Sequence, residues 1–160
     1  MVVSFHLNGE SRQYHGDGME PLIDVLRRDA GLTGAKAVCR EGFCGACMVQ
    51  IDGVPKLSCL LPVGLVEGCA VTTIEGLGGT AAQGDGPFPD SLRQALIDTD
   101  AVQCGMCFPG MVLTLGPFLA NNPEAGRAEI KTAMVGNICR CTGYERIVDA
   151  AMLCLNRMKG

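Results

Sequence analysis

The sequence predicts an α+β chain of two small domains, a compact mixed sheet wrapped around one helix followed by an all-helical half. Three observations carry that prediction. Asn8-Gly9 and Asp52-Gly53 each separate two short β-rich runs, as the positive φ angles of a type I′ hairpin turn require. Residues 77–89 are dominated by Gly, Pro and small polar residues with little to bury, which marks a linker. Beyond it, the apolar spacing changes to the 3.6-residue period of helices. The expected domains are therefore 1–76 and 90–160, joined by 77–89.

Each element follows from local chemistry. "VVSFHL" and "ESRQYH" flank the Asn-Gly pair as the arms of a first hairpin. "PLIDVLRRDAG" places Leu22, Val25 and Leu26 at helical spacing, with Pro21 near its start and Gly31 as a stop. "CMVQI" and "VPKLSCLL" form a second hairpin across Asp52-Gly53, and "AVTTIE" is a last β-branched strand. In the second half, "DSLRQALIDTDAV" and "YERIVDAAMLCLNRM" are amphipathic, the latter with Ile147, Val148, Ala151, Met152 and Leu155 along one stripe. "PGMVLTLGPFLANN" opens on Pro109, which suits a first helical turn. Its internal Gly116-Pro117 is expected to kink or interrupt it. "AGRAEIKTAMVG" completes four helices. No repeat of 20–50 residues is visible.

Composition narrows the function classes. Hydrophobic residues make up 48% and charged residues 19% of the chain, enough apolar surface for a core. With no Trp and few other aromatics, that core rests on aliphatic side chains and eight Met as adaptable filler. A net charge of −4 without a basic run argues against nucleic acid as the main partner. No apolar stretch is long enough to span a bilayer. "MVVSFHLNGESRQ" lacks the basic and apolar regions of a secretory signal, so a cytoplasmic location is expected. Reducing cytosol turns the ten cysteines away from disulfides and towards metal or redox chemistry.

The first cysteine group is Cys39-x4-Cys44-x2-Cys47 in "CREGFCGAC", with Cys59 in the strand after the second hairpin. This is the spacing of plant-type [2Fe–2S] ferredoxins, and structural zinc is the rival reading. A four-thiolate cluster carries negative charge best met by backbone N–H groups, and close backbone approach suits Gly42, Gly45 and Ala46. Lys36 and Arg40 add positive charge nearby. The second group is Cys104-x2-Cys107 with Cys139-x-Cys141. The i, i+2 pair cannot share a helical face, so its segment is a loop. Spacing alone leaves zinc and an iron–sulfur cluster equally open for this group.

"CREGFCGAC", "VTTIEGL", "QCGMCFPGM" and "GNICRCTGY" together closely resemble the small iron–sulfur subunit of the molybdenum hydroxylases, from about residue 3 to 155. That family includes xanthine dehydrogenase, aldehyde oxidase, carbon monoxide dehydrogenase and relatives acting on N-heterocycles. The resemblance implies an N-terminal β-grasp ferredoxin-like domain and a C-terminal four-helix domain, each with one [2Fe–2S] cluster. It implies ligands Cys39, Cys44, Cys47 and Cys59 for the first, and Cys104, Cys107, Cys139 and Cys141 for the second. It further implies a large partner subunit with a molybdenum–pterin cofactor, where water supplies the oxygen that hydroxylates substrate. Electrons then leave singly through the helical-domain cluster and the ferredoxin-like cluster, commonly towards FAD on a third, medium subunit. By the same match Gln103 hydrogen-bonds the pterin and Cys141 lies near it. The small subunit itself has no catalytic acid, base or nucleophile. The other function classes are a free-standing ferredoxin shuttle, which needs neither a helical domain nor "GNICRCTGY", and a zinc-stabilised interaction module.

Two positions depart from the family pattern. Val38 stands where Gly is usual, removing access to positive φ, and Phe108 stands where Thr would cap the helix beginning at Pro109. Other candidates read plainly. Cys69 and Cys154 are packed thiols, and His6 and His15 are sheet or surface residues. Arg40 and Arg140, each following a ligand cysteine, are either solvated or tune cluster potential.

Overall fold

The computed structural model describes residues 1–77 and 88–159, with side chains from Asp90 onward in the second stretch. Most of the expected 77–89 linker thus lies outside the described residues. Five strands, β1 (Val2–Leu7), β2 (Glu10–His15), β3 (Met48–Ile51), β4 (Val54–Leu57) and β5 (Ala70–Thr72), form one mixed sheet in the order β2-β1-β5-β3-β4. β1 runs parallel to β5, while the other neighbours are antiparallel. Both hairpin turns take the expected form. Asn8 and Gly9 sit at φ 52° and 88°, Asp52 and Gly53 at 50° and 79°, so twist matches the flanking strands. β5 is shorter than "AVTTIE" suggested, because Ile74–Leu77 turns into a 3₁₀ helix, and a second 3₁₀ turn spans Val63–Val66.

Helix α1 (Leu22–Arg28) has two buried faces with different neighbours. Leu22, Val25 and Leu26 pack on Val3, Phe5 and Val71 of the sheet, whereas Ile23 turns the other way, against Cys47 and Cys59. The first N–H groups of a helix have no partner within it. Here those of Leu22 and Ile23 donate to the carbonyls of Leu61 (2.8 Å) and Ser58 (3.2 Å). The start of α1 thereby holds the 58–61 segment, and with it Cys59, beside the loop of residues 39–47.

The second half contains four helices as expected: α2 (Phe88–Asp98), α3 (Phe108–Asn121), α4 (Arg127–Ala133) and α5 (Glu145–Lys159). α2 begins inside the expected linker, at Phe88. Their core joins Leu96, Leu115, Leu119, Ile130, Val148 and Leu155, and Cys154 is buried within it. Among the described residues no helix is long and apolar enough to cross a membrane.

α3 corrects one half of the expectation that Gly116-Pro117 would kink or interrupt it. It continues through Pro117 without interruption. A proline removes the donor for the carbonyl four residues earlier, here that of Leu113. Gln50 Nε2 on β3 donates to that carbonyl at 3.2 Å. A side chain 63 residues away therefore supplies what the helix lacks, and the same bond ties the two halves together.

Candidate metal centres

The first group converges between the loop 39–47, the end of β4 and the buried side of α1. Cys39 lies in side-chain contact with Cys44, and Cys47 with Cys59. Cys59 lies just beyond β4 rather than within it, since the strand ends at Leu57. Buried Ser58 locks the spacing of the second pair: its hydroxyl donates to the Cys47 carbonyl at 2.6 Å, and its N–H to the same oxygen at 3.3 Å. The Glu41 N–H points at Cys39 Sγ, 3.4 Å away. That bond, followed by the Cys44 N–H, pulls the Cys39 thiol down to about 6. Burial pushes Cys47 the other way, to about 11. The loop thus favours thiolate by N–H donation at its open end and shields sulfur from water at its inner end.

Arg40, between Cys39 and Glu41, sits at φ 58°. Its guanidinium makes two bonds to Asp24 in the first turn of α1, at 2.9 and 2.6 Å. The Arg40 hydrogen bonds hold the Asp24 carboxyl below its ordinary value. Arg40 is therefore a paired clamp on the loop rather than a merely solvated side chain, whereas Arg140 is exposed and has no ion pair among the described residues. Val38 is exposed and is not among the residues at positive φ, so its side chain introduces no backbone strain.

The second group lines one cavity. Cys104 and Cys107, from the turn before α3, face Cys139 and Cys141 from the loop between α4 and α5, with Gln103 and Phe108 on the wall. The thiols again meet in twos, Cys104 with Cys141 and Cys107 with Cys139. Burial drives Cys107 up to about 12. Burial acts on Cys139 too, but the Thr142 hydroxyl, 3.1 Å from its sulfur, and N–H groups of Thr142 and Cys141 bring it below its ordinary value. The Met106 N–H lowers Cys104, while contact with Cys104 raises Cys141. The Tyr144 hydroxyl accepts the Cys139 N–H at 3.0 Å and anchors the loop. Gln103, Cys104 and Cys141 lie on the exposed rim. The structure shifts the expected cap by one residue: α3 begins at Phe108 rather than Pro109, and Cys107, not residue 108, occupies the N-cap position, without a side-chain cap bond. Phe108 instead packs against the helical core.

This pattern bears on the choice of metal. A single tetrahedral zinc ion takes four donors closing on one point. A two-iron cluster takes two thiolates on each iron. Two pairs of thiols at each site fit that donor set, and both sites add N–H groups directed at sulfur.

The two sites are in direct contact. The Ile138 N–H, next to Cys139, donates to the Cys44 carbonyl at 2.9 Å. Gly45 is buried at φ 71°, where an added Cβ would stand 2.3 Å from the Gly136 carbonyl oxygen. A Cβ at Gly110, in the first turn of α3, would lie 2.2 Å from the Gly45 carbonyl oxygen. Small residues at 45 and 110 thus serve the joint between the sites. Ser58, Gln50 and Asn137 escaped sequence reading, because each acts on a partner far along the chain or in a different element.

Comparison with known proteins agrees in both halves. Residues 5–63 match a 2Fe-2S iron-sulfur cluster binding domain, and residues 73–152 match a [2Fe-2S] binding domain. The chain is 40% identical to the nicotinate dehydrogenase small FeS subunit of Eubacterium barkeri, over 98% of this chain and 96% of that one. It is 37% identical to the nicotine 6-hydroxylase small subunit of Paenarthrobacter nicotinovorans, over 94% and 87%. Quinoline 2-oxidoreductase from Pseudomonas putida 86 superposes with a TM-score of 0.87 at 39% identity, covering 99% of this chain and 96% of that chain.

Proposed function

From the premise that this chain belongs to the small [2Fe–2S] subunits of the molybdenum hydroxylases, we propose how its residues serve that role. It is an electron-transfer subunit of a redox complex, relaying single electrons from a molybdenum–pterin site on a larger subunit towards FAD or another acceptor. A [2Fe–2S] cluster supplies one-electron storage and release. Cys39, Cys44, Cys47 and Cys59 hold the first, and Cys104, Cys107, Cys139 and Cys141 the second. The observation that carries this assignment is the meeting of four thiols as two pairs at each site.

The protein's own contribution is to keep sulfur as thiolate, exclude water and fix geometry. N–H donation at Cys39 and Cys104 favours thiolate, while Ile23 and the helical core close the inner walls. Gln103 and Cys141, on the exposed rim of the second site, contact the pterin cofactor of the larger subunit. The first site faces a medium FAD-binding subunit. No acid, base or nucleophile of this chain takes part in the oxidation. The substrate is chosen by the large subunit, and relatives named for nicotinate and quinoline make N-heteroaromatic rings the first class to screen.

Purification of the native complex under non-denaturing conditions tests the reading. The chain is expected to travel with a larger molybdenum-containing subunit. A lone redox-active monomer favours a ferredoxin-like shuttle instead, and a colourless zinc-bearing protein an interaction module.

A further inference from the structure

We propose that Asn137 is the positioning residue that sets the separation of the two thiol sites, and through it the rate of electron exchange between them. Only three polar side chains are buried among the described residues: Ser58, Thr73 and Asn137. Ser58 and Thr73 bond within the sheet half, but Asn137 stands at the joint. Its Nδ2 donates to Thr114 Oγ1 on α3 at 3.1 Å, and its backbone N–H to the Met134 carbonyl at 2.8 Å. Its Oδ1 is buried without a hydrogen-bond partner among the described residues.

That oxygen fills the gap between two glycines. A Cβ at Gly45, between the ligand candidates Cys44 and Cys47, would lie 2.7 Å from it, and one at Gly110 would lie 3.0 Å from it. The amide therefore spaces three segments at once: the first thiol loop, the first turn of α3, and the second thiol loop. The next residue, Ile138, makes the bond to the Cys44 carbonyl. An unpartnered buried oxygen lowers stability, and a leucine of similar size would avoid it. Fixing register is the best-attested use of such a buried polar group, and the contacts of Asn137 on three segments fit that use. Electron exchange between two centres falls steeply with their separation, so the contact that sets the separation sets the rate.

This inference rests on the two-cluster reading above. It is tested on the full, cluster-loaded chain by low-temperature electron paramagnetic resonance after dithionite reduction. Two nearby reduced clusters split each other's signals, and the splitting reports their separation and orientation. In Asn137→Leu and Thr114→Val, iron content, each cluster's own g-values and both potentials should persist. The splitting should change, and electron equilibration between clusters should slow several-fold. Should Asn137→Leu not assemble, Thr114→Val decides, since it removes only the acceptor of the Nδ2 bond. Unchanged splitting and equilibration in an assembled variant overturns the role of Asn137 alone. Loss of one cluster's own signal overturns it too, because the residue then acts on that cluster. A parent protein without two signals removes the relay reading and this inference with it.

Discussion

Gln50 Nε2 donates at 3.2 Å to the Leu113 carbonyl, the one helical acceptor that Pro117 leaves without its i+4 donor. One hydrogen bond thereby explains why α3 is unbroken and how β3 is fastened to it. Replacing Gln50 by Leu should lower stability by about 1 kcal/mol, the usual net worth of such a bond. Pro117→Ala returns a backbone donor to the same carbonyl. The two changes should therefore couple by on the order of 1 kcal/mol in a double-mutant cycle read by denaturant midpoint, whereas simple additivity contradicts this explanation.

Gly45→Ala should be among the most damaging single-atom changes in the chain. Its φ of 71° alone costs about 1–2 kcal/mol for a residue with a Cβ. The new carbon would also meet the Gly136 carbonyl oxygen at 2.3 Å, a backbone atom that cannot swing away. Lower thermal stability and a change in the first cluster's spectrum are expected. Gly53→Ala is the control. It shares a positive φ but has no heavy atom within 4 Å of its added carbon, so it should lose stability without altering either cluster.

The Arg40–Asp24 clamp predicts a pH dependence of defined sign. The Asp24 carboxyl is held below its ordinary value by Arg40, so it takes up its proton only at lower pH in the folded chain. Its contribution is present above the ordinary carboxylate pKa and disappears as pH falls through the depressed value. Asp24→Asn should therefore be less stable than the parent at neutral pH and converge with it in acid. Both side chains are partly exposed, so the neutral-pH difference should stay at or below about 1 kcal/mol. A difference that persists in acid contradicts the account.

Iron removal should destabilise both halves, because four thiols converge at each site from separate segments and metal binding is then part of folding. A chelated, reduced chain is expected to lose its thermal transition midpoint by many degrees, and to regain it when iron and sulfide are restored. An unchanged midpoint after complete iron loss contradicts that coupling.

Much of this was legible before the structure. Asn-Gly and Asp-Gly announced both hairpins because their backbone angles are a local property. The cysteine spacing pointed to two groups because such spacing is written along the chain, and folding brings each group of thiols together. Pro117 misled because the carbonyl it orphans is satisfied by Gln50, which no local pattern reveals. The start of α2 at Phe88 lay hidden in a Gly- and Pro-rich stretch whose composition reads as linker. Asn137 was visible only as part of "GNICRCTGY"; its contacts with Thr114, Gly45 and Gly110 come from segments brought together by folding.

The central claim is two separate [2Fe–2S] centres, the second held by Cys104, Cys107, Cys139 and Cys141. Electron paramagnetic resonance of the reduced parent and of Cys104→Ser, with iron and acid-labile sulfide measured on both, tests it most directly. The parent should show two distinct [2Fe–2S] signals with iron and sulfide in equal amounts, and Cys104→Ser should lose one signal while blocking turnover of the complex. Full iron content, both signals unchanged and normal electron transfer in Cys104→Ser would contradict it.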